Sequence, residues 1–114
     1  MTIVTLIVED NAAMRATLRS LLAGVESDFC ECSDGMDAVR MYRRFRPRWV
    51  LMDVRMKQMD GITATRQIIA SFPDAHIVIV TEYDDMALRN EAREAGAIAF
   101  VRKDDLLELP ALFA

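Results

Sequence analysis

The sequence predicts an α/β fold in which a parallel sheet is covered by helices on both faces. Three observations carry that expectation. Apolar, β-branched runs alternate with stretches of helical spacing five times along the chain, as in a parallel sheet between helix layers. Two of the runs, Trp49 to Met52 and Ala75 to Val80, are close to continuously apolar, as strands buried on both faces are. The runs also stop abruptly on polar residues, above all on Asp53, where a parallel sheet gathers its carboxyl ends.

In chain order, Thr2 to Val8 is rich in β-branched residues and reads as the first strand. Glu9, Asp10 and Asn11 follow it, and Asp10 or Asn11 is placed to cap the next helix. Met14, Leu18, Leu21 and Leu22 recur at helical spacing, with Gly24 as the expected stop. Phe29 to Ser33 alternates with polar residues, as expected of a strand at a sheet edge. Asp34 and Gly35 read as a turn, and Met36 to Phe45 as a helix that Pro47 brings to an end. Trp49 to Asp53 is the central strand, and a second turn signal follows at Asp60 and Gly61. A helix is expected from Ile62 to Ser71, then a strand from Ala75 to Val80 ending at Thr81. Asp84 and Asp85 look like an N-cap pair for a helix through Ala95 that Gly96 closes. Ala97 to Val101 is the last strand, ending near Lys103. The final helix, from Asp104 to Ala114, is short and contains Pro110, so it either starts late or is broken.

Bulk properties fit one domain over residues 1–114 with a real core. The chain is 53% hydrophobic and 28% charged, ordinary for a globular protein. A chain of this size buries roughly 60% or more of its unfolded surface. A net charge of −4 argues against bulk attraction to DNA or to an acidic membrane. The run of Arg40, Arg43, Arg44, Arg46 and Arg48 is the exception, read first as a solvated helix end. No run is long enough to span a bilayer and no signal segment opens the chain, so the cytoplasm is the expected location. Cys30 and Cys32, two apart on a strand, would strain a mutual disulfide and lack the partners of a metal site. The single histidine, His76, lies near a strand start, away from the acids, and reads as structural.

Glu9 and Asp10 follow the first strand, Asp53 the third, Thr81 the fourth and Lys103 the fifth. In a parallel sheet all these ends lie on one rim, so three carboxylates, a hydroxyl and an ammonium converge. Clustered carboxylates without nitrogen or sulfur ligands suit a hard cation such as Mg²⁺. A carboxylate can attack phosphorus to give an acyl phosphate, and phosphoryl transfer needs charge neutralisation and positioning above all. A metal and Lys103 would supply the two positive poles.

Taken together, Val8, Glu9 and Asp10; Leu51, Met52, Asp53, Val54, Arg55 and Met56 with Met59, Asp60 and Gly61; Val80 and Thr81; and Phe100, Val101, Arg102 and Lys103 closely resemble the response-regulator receiver domain of two-component signalling. The match runs from the first strand to the fifth. The resemblance implies a flavodoxin-like (βα)5 three-layer sandwich with sheet order 2-1-3-4-5. It implies that Asp53 accepts a phosphoryl group from a histidine kinase, with Lys103 and Thr81 contacting that group. Asp10, Asp53 and the backbone carbonyl of Arg55 would ligate Mg²⁺, and Glu9 would act through water. Thr81 and Phe100 would form the conformational switch, with output through a homodimer or an effector partner and no direct nucleic-acid binding. Glu94 to Ala97, with Lys103 and Asp104, look most like receivers of LuxR- and NarL-type regulators, which control transcription through a DNA-binding domain that these residues do not include.

The chain departs from the family pattern at Lys57 and Asp104, where proline is frequent, and at Glu82, where a smaller residue is common. Two rivals follow. One is a receiver-like interaction domain that works without phosphate. The other is a true enzyme such as a small phosphatase, disfavoured because Arg55 stands where a second acid would be needed.

Overall fold

A computed structural model describes residues 4–26, 28–83 and 85–113. Five strands form one parallel sheet: β1 (Thr5–Val8), β2 (Phe29–Cys32), β3 (Trp49–Met52), β4 (Ile77–Thr81) and β5 (Ala99–Arg102). Their order is β2-β1-β3-β4-β5, as the resemblance implied. Five helices connect and close them: α1 (Ala12–Leu22), α2 (Gly35–Phe45), α3 (Gly61–Ser71), α4 (Met86–Ala95) and α5 (Leu109–Phe113).

Strand alternation divides the core in two. Leu6, Val8, Val50, Met52, Ile77 and Ile79 face α2, α3 and α4, where Ala38, Tyr42, Ala64, Ile68, Ala92 and Ala95 pack against them. Ile7, Leu51, Val78, Val80 and Val101 face α1 and α5, against Leu18, Leu22, Leu109 and Phe113. This is the three-layer sandwich. The inner strands β1, β3 and β4 are almost fully buried, whereas every residue of the edge strand β2 is half-buried. The free cysteines Cys30 and Cys32 lie on β2, partly covered.

The strands are shorter at their amino ends than the sequence suggests. Val4, Ala75, His76, Ala97 and Ile98 lie before the ladders, and residues 2 and 3 fall outside the described residues. Trp49 packs against Phe113 and His76 with ring centroids 4.6 and 5.1 Å apart.

Helix ends differ from expectation in an instructive way. Asn11, not Asp10, caps α1, accepting from Met14 N at 2.9 Å. That leaves the Asp10 carboxylate for other work. Gly24 does not stop α1: the cap is Ala23 in a right-handed conformation, and Leu22 O is satisfied by Val25 N and Glu26 N. The two expected turns, Asp34 with Gly35 and Asp60 with Gly61, are helix starts. Each aspartate caps and each glycine is the first helical residue. Asp85 caps α4, while Asp84 lies outside the described residues. Gly96 closes α4 with φ 107°, a left-handed conformation suited to glycine. Lys103–Glu108 forms a 3-10 segment, and α5 starts late, with Pro110 in its first turn where proline is tolerated.

Candidate functional site

The carboxyl rim of the sheet carries the site. Glu9 follows β1 and is 1% exposed, and Asp53 follows β3 and is 7% exposed. Thr81, the last residue of β4, is fully buried, and Lys103 directly follows β5. Asp10 is exposed at the mouth. One carboxylate oxygen each from Glu9, Asp10 and Asp53 lie within 4.8 Å of one another, a group that could hold a metal ion. Lys103 Nζ donates to Glu9 Oε1 at 2.5 Å and stands 3.5 Å from Asp53 Oδ1. Residues scattered over the chain thus share one rim.

Backbone contacts fix Asp53. Its N–H donates to Val8 O at 2.9 Å, continuing the β1–β3 pairing one step past the ladder. The Val54 N–H donates to Asp53 Oδ1, also at 2.9 Å. The Gly61 N–H then donates to Val54 O at 2.8 Å, drawing the start of α3 onto this loop. That approach is why position 61 is glycine. A Cβ there would lie 1.8 Å from Asp53 O. Gly35 is confined in the same way, 2.4 Å from Met59 O for an ideal Cβ, and its N–H donates to that oxygen.

Glu9 is held from the other side. Arg15 of α1 donates to Glu9 O at 2.7 Å and to Glu31 of β2 at 3.1 Å, so the start of the site is tied to the edge strand. Arg19 joins the same Glu31 carboxylate.

Charge is unevenly compensated. Burial, and then the neighbouring Glu9 carboxylate, push Asp53 up from 3.8 to about 7, against the pull of Lys103. Burial also works to raise Glu9, but hydrogen bonding with Asp53 and Lys103 holds it below its ordinary value. Asp10 is raised, by burial and by Glu9. Burial would lower Lys103, yet its bond to Glu9 and the charge of Asp53 hold it above the ordinary value. One ammonium thus faces three acids, and two of the acids, Asp10 and Asp53, are raised above their ordinary values. A divalent cation would relieve that excess, and an all-oxygen donor set suits a hard one.

Two further residues line the pocket. The Arg55 guanidinium lies over the Tyr83 ring, 4.1 Å from its centroid. This contact bridges the loops after β3 and β4, and both residues line the pocket, together with Glu82 and Asp104. Sequence reasoning gave the Arg55 guanidinium no contact in the site and missed Tyr83. The available signal was positional, since each residue stands two places after a strand-end polar residue, Asp53 or Thr81. Thr81 Oγ1 accepts from Tyr83 N at 3.2 Å, which leaves its own proton to donate. Phe100 is Ile79's partner in the β4–β5 register and shares the α4 side of the sheet with Thr81. It lies outside the acid cluster, half-buried, with the Arg89 guanidinium 4.6 Å from its ring centroid.

Comparison with known proteins agrees with this geometry. A family profile described as "Response regulator receiver domain" matches residues 5–112. The chain is 37% identical over 101 residues to an uncharacterized transcriptional regulatory protein, YhcZ, of Bacillus subtilis, covering 86% of this chain and 47% of that protein. It is 34% identical over 99 residues to the chemotaxis protein CheY of Thermotoga maritima, covering 86% of this chain and 82% of that one. Among solved structures, a two-component response regulator of the LuxR family from Aurantimonas superposes with a TM-score of 0.84 at 33% identity, over 96% of this chain and 80% of the other. The chain spans about half the length of several of the transcriptional regulators it matches. No helix among the described residues is long and apolar enough to cross a membrane. This chain belongs to the response regulator receiver domain family of two-component systems.

Proposed function

We propose that this chain is a phosphorylation-controlled switch that accepts a phosphoryl group on Asp53 from a histidine kinase. The observation that carries the reading is the buried Asp53 carboxylate, anchored by Val54 N and flanked by Lys103 and two further acids. An Asp53 oxygen attacks phosphorus, the phosphorus–nitrogen bond of the phosphohistidine breaks, and its electron pair returns to the imidazole. Hydrolysis reverses the modification: water adds to phosphorus, the acyl phosphate P–O bond breaks, and carboxylate and inorganic phosphate are released. The protein is a signalling domain, and self-catalysed gain and loss of phosphate is its only proposed chemistry.

Asp10, Asp53 and the Arg55 carbonyl would hold Mg²⁺, with Glu9 acting through water. The bound ion supplies charge neutralisation to the phosphoryl oxygens. Lys103 adds a fixed positive charge from the β5 side. Thr81 donates its hydroxyl proton to a phosphoryl oxygen. Because Thr81 and Phe100 share the sheet face under α4, displacement of Thr81 frees room for the Phe100 ring. The α4–β5 surface is thereby coupled to the charge at Asp53. Output passes by protein contact, in the cytoplasm, to an effector that regulates transcription.

Incubation with acetyl phosphate and Mg²⁺ tests the reading. A mass gain of one phosphoryl group, absent in Asp53→Asn, supports it. No gain under conditions that label another receiver refutes it.

A second reading, interaction without phosphate, is favoured by Glu82 and by the Arg55–Tyr83 contact, which add an acid and steric cover at the pocket mouth. Unchanged partner binding in Asp53→Asn would support it.

A further inference from the structure

We propose that the opposite rim of the molecule, at the end of α2, is a docking surface for an acidic polypeptide segment. Each helix follows a strand and runs back antiparallel to it, so α2 begins beside the acid cluster and ends at the amino rim of the sheet. Arg40, Arg43 and Arg44 lie on its outer side, opposite the buried Ala38 and Tyr42. Arg46 and Arg48 extend the patch into the link before β3, and Arg48 N donates to Val4 O, which fixes that link to the rim. All five side chains are exposed.

The charge is concentrated beyond what a helix end needs. The stretch from 40 to 48 holds five of the chain's 14 basic residues and no acid. Taking its +5 out of the net −4 leaves −9 on the rest. A helix carboxyl end carries only about half a negative charge, which one or two cations satisfy. Arg40 is paired with Asp37 at 3.2 Å. Among the described residues, Arg43, Arg44, Arg46 and Arg48 have no ion-pair partner within 4.0 Å. Asp74 is the nearby acid, felt by Tyr42 together with Arg46, and it forms no such pair.

Two of the arginines rest on aromatic rings. The Arg46 guanidinium lies 3.9 Å from the Phe72 ring centroid, and Arg46 holds a left-handed backbone conformation with φ 47°. Phe72 in turn packs on Tyr42, with centroids 5.1 Å apart. Arg44 lies over Phe45 at 5.2 Å, and Phe45 itself is 43% exposed. A guanidinium laid flat on a ring keeps its N–H edges free for bidentate contact with a carboxylate. An exposed aromatic among arginines is a common composition for a protein-binding patch.

Charge complementarity selects the occupant. The rest of the chain is net −9, which disfavours a long polyanion such as DNA, or an anionic bilayer. A short segment of carboxylates with one apolar residue for Phe45 matches the patch in size, sign and chemistry.

The test is fluorescence anisotropy with a short labelled peptide of alternating glutamate and leucine, at about 0.15 M salt, where exposed charges more than ~8 Å apart are screened. Binding by the intact chain is expected. It should weaken at least about tenfold in Arg43→Glu/Arg44→Glu and severalfold in Phe45→Ala, the scale of hot-spot losses of about 1–2 kcal/mol. Arg93→Glu, one such charge reversal placed on α4 instead, should leave it unaltered. Circular dichroism and thermal melting of each variant confirm folding, and Arg43→Gln/Arg44→Gln serves if the glutamates unfold the chain. No binding, equal loss in Arg93→Glu, or tighter binding to a single-stranded oligonucleotide or to phosphatidylserine vesicles overturns the proposal.

Discussion

Lys103 sits nearer to Glu9 than to Asp53, at 2.5 Å from the first carboxylate and 3.5 Å from the second. The buried acid at the end of β1 is therefore the one it neutralises, and Asp53 is left partly uncompensated. Removing the ammonium, as in Lys103→Met, strands Glu9 at 1% exposure. The expected cost is about 2 kcal/mol, below the usual figure for a broken buried pair because the pocket is open to water. Urea unfolding of the metal-free protein at neutral pH measures it. A change within error would mean that Glu9 is protonated there already.

The same asymmetry sets a pH dependence. Asp53 binds its proton more tightly in the folded chain, at about 7, than in the unfolded chain, at about 3.8. The folded state therefore holds more protons between those values, and metal-free stability falls as pH rises from about 4 through about 7. Asp53→Asn removes that penalty. It should be more stable than the parent by ~2 kcal/mol at pH 8, with the difference shrinking toward pH 4. Millimolar Mg²⁺ should narrow the gap by binding the parent more tightly. Thermal melts across pH, with and without Mg²⁺, follow both effects.

Glycines divide by position. Gly61→Ala would drive a Cβ to 1.8 Å from Asp53 O, and Gly35→Ala would meet Met59 O at 2.4 Å. Both partners are backbone, so α3 or α2 must shift, and a loss of about 3 kcal/mol or more is expected for Gly61→Ala. Gly24 has nothing within 4 Å of the same atom. Gly24→Ala should be neutral or stabilise by about 0.5 kcal/mol through the unfolded chain. Denaturant midpoints of the three variants check the ranking.

These glycines also show where the sequence was and was not legible. The five strands were readable because inner strands buried on both faces must be apolar throughout. The site was readable because parallel strands put all carboxyl ends on one rim. The Asp-Gly pairs at 34–35 and 60–61 looked like turns because those residue types favour turns locally. Their actual reason, backbone approaching backbone at Met59 and Asp53, is a tertiary fact that leaves no local trace. Arg15 is similar: nothing in α1 alone announces that it joins Glu9 O to Glu31 across two strands. Strand starts were overextended because apolar residues such as Ala75 and Ala97 continue the pattern beyond the last paired residue.

The Arg55–Tyr83 contact should govern how long an acyl phosphate survives. The pair lines the same pocket as Asp53. A partly exposed cation–π contact of about 0.5–1 kcal/mol corresponds to roughly a two- to fivefold change in rate. Tyr83→Ala should shorten the acyl-phosphate lifetime by about that factor, with Arg55→Ala giving a similar change and the double variant little more. Decay of the phosphorylated protein, followed by mass spectrometry after removal of the phosphodonor, measures this. Additive effects in the double variant would show that the two residues act separately.

The most direct test of the account is the mass of the intact protein after incubation with acetyl phosphate and Mg²⁺. The account predicts one added phosphoryl group on the parent chain, base-labile and mapped to Asp53, with none on Asp53→Asn and none when Mg²⁺ is chelated. An unmodified parent chain, or the same modification in Asp53→Asn, would contradict it.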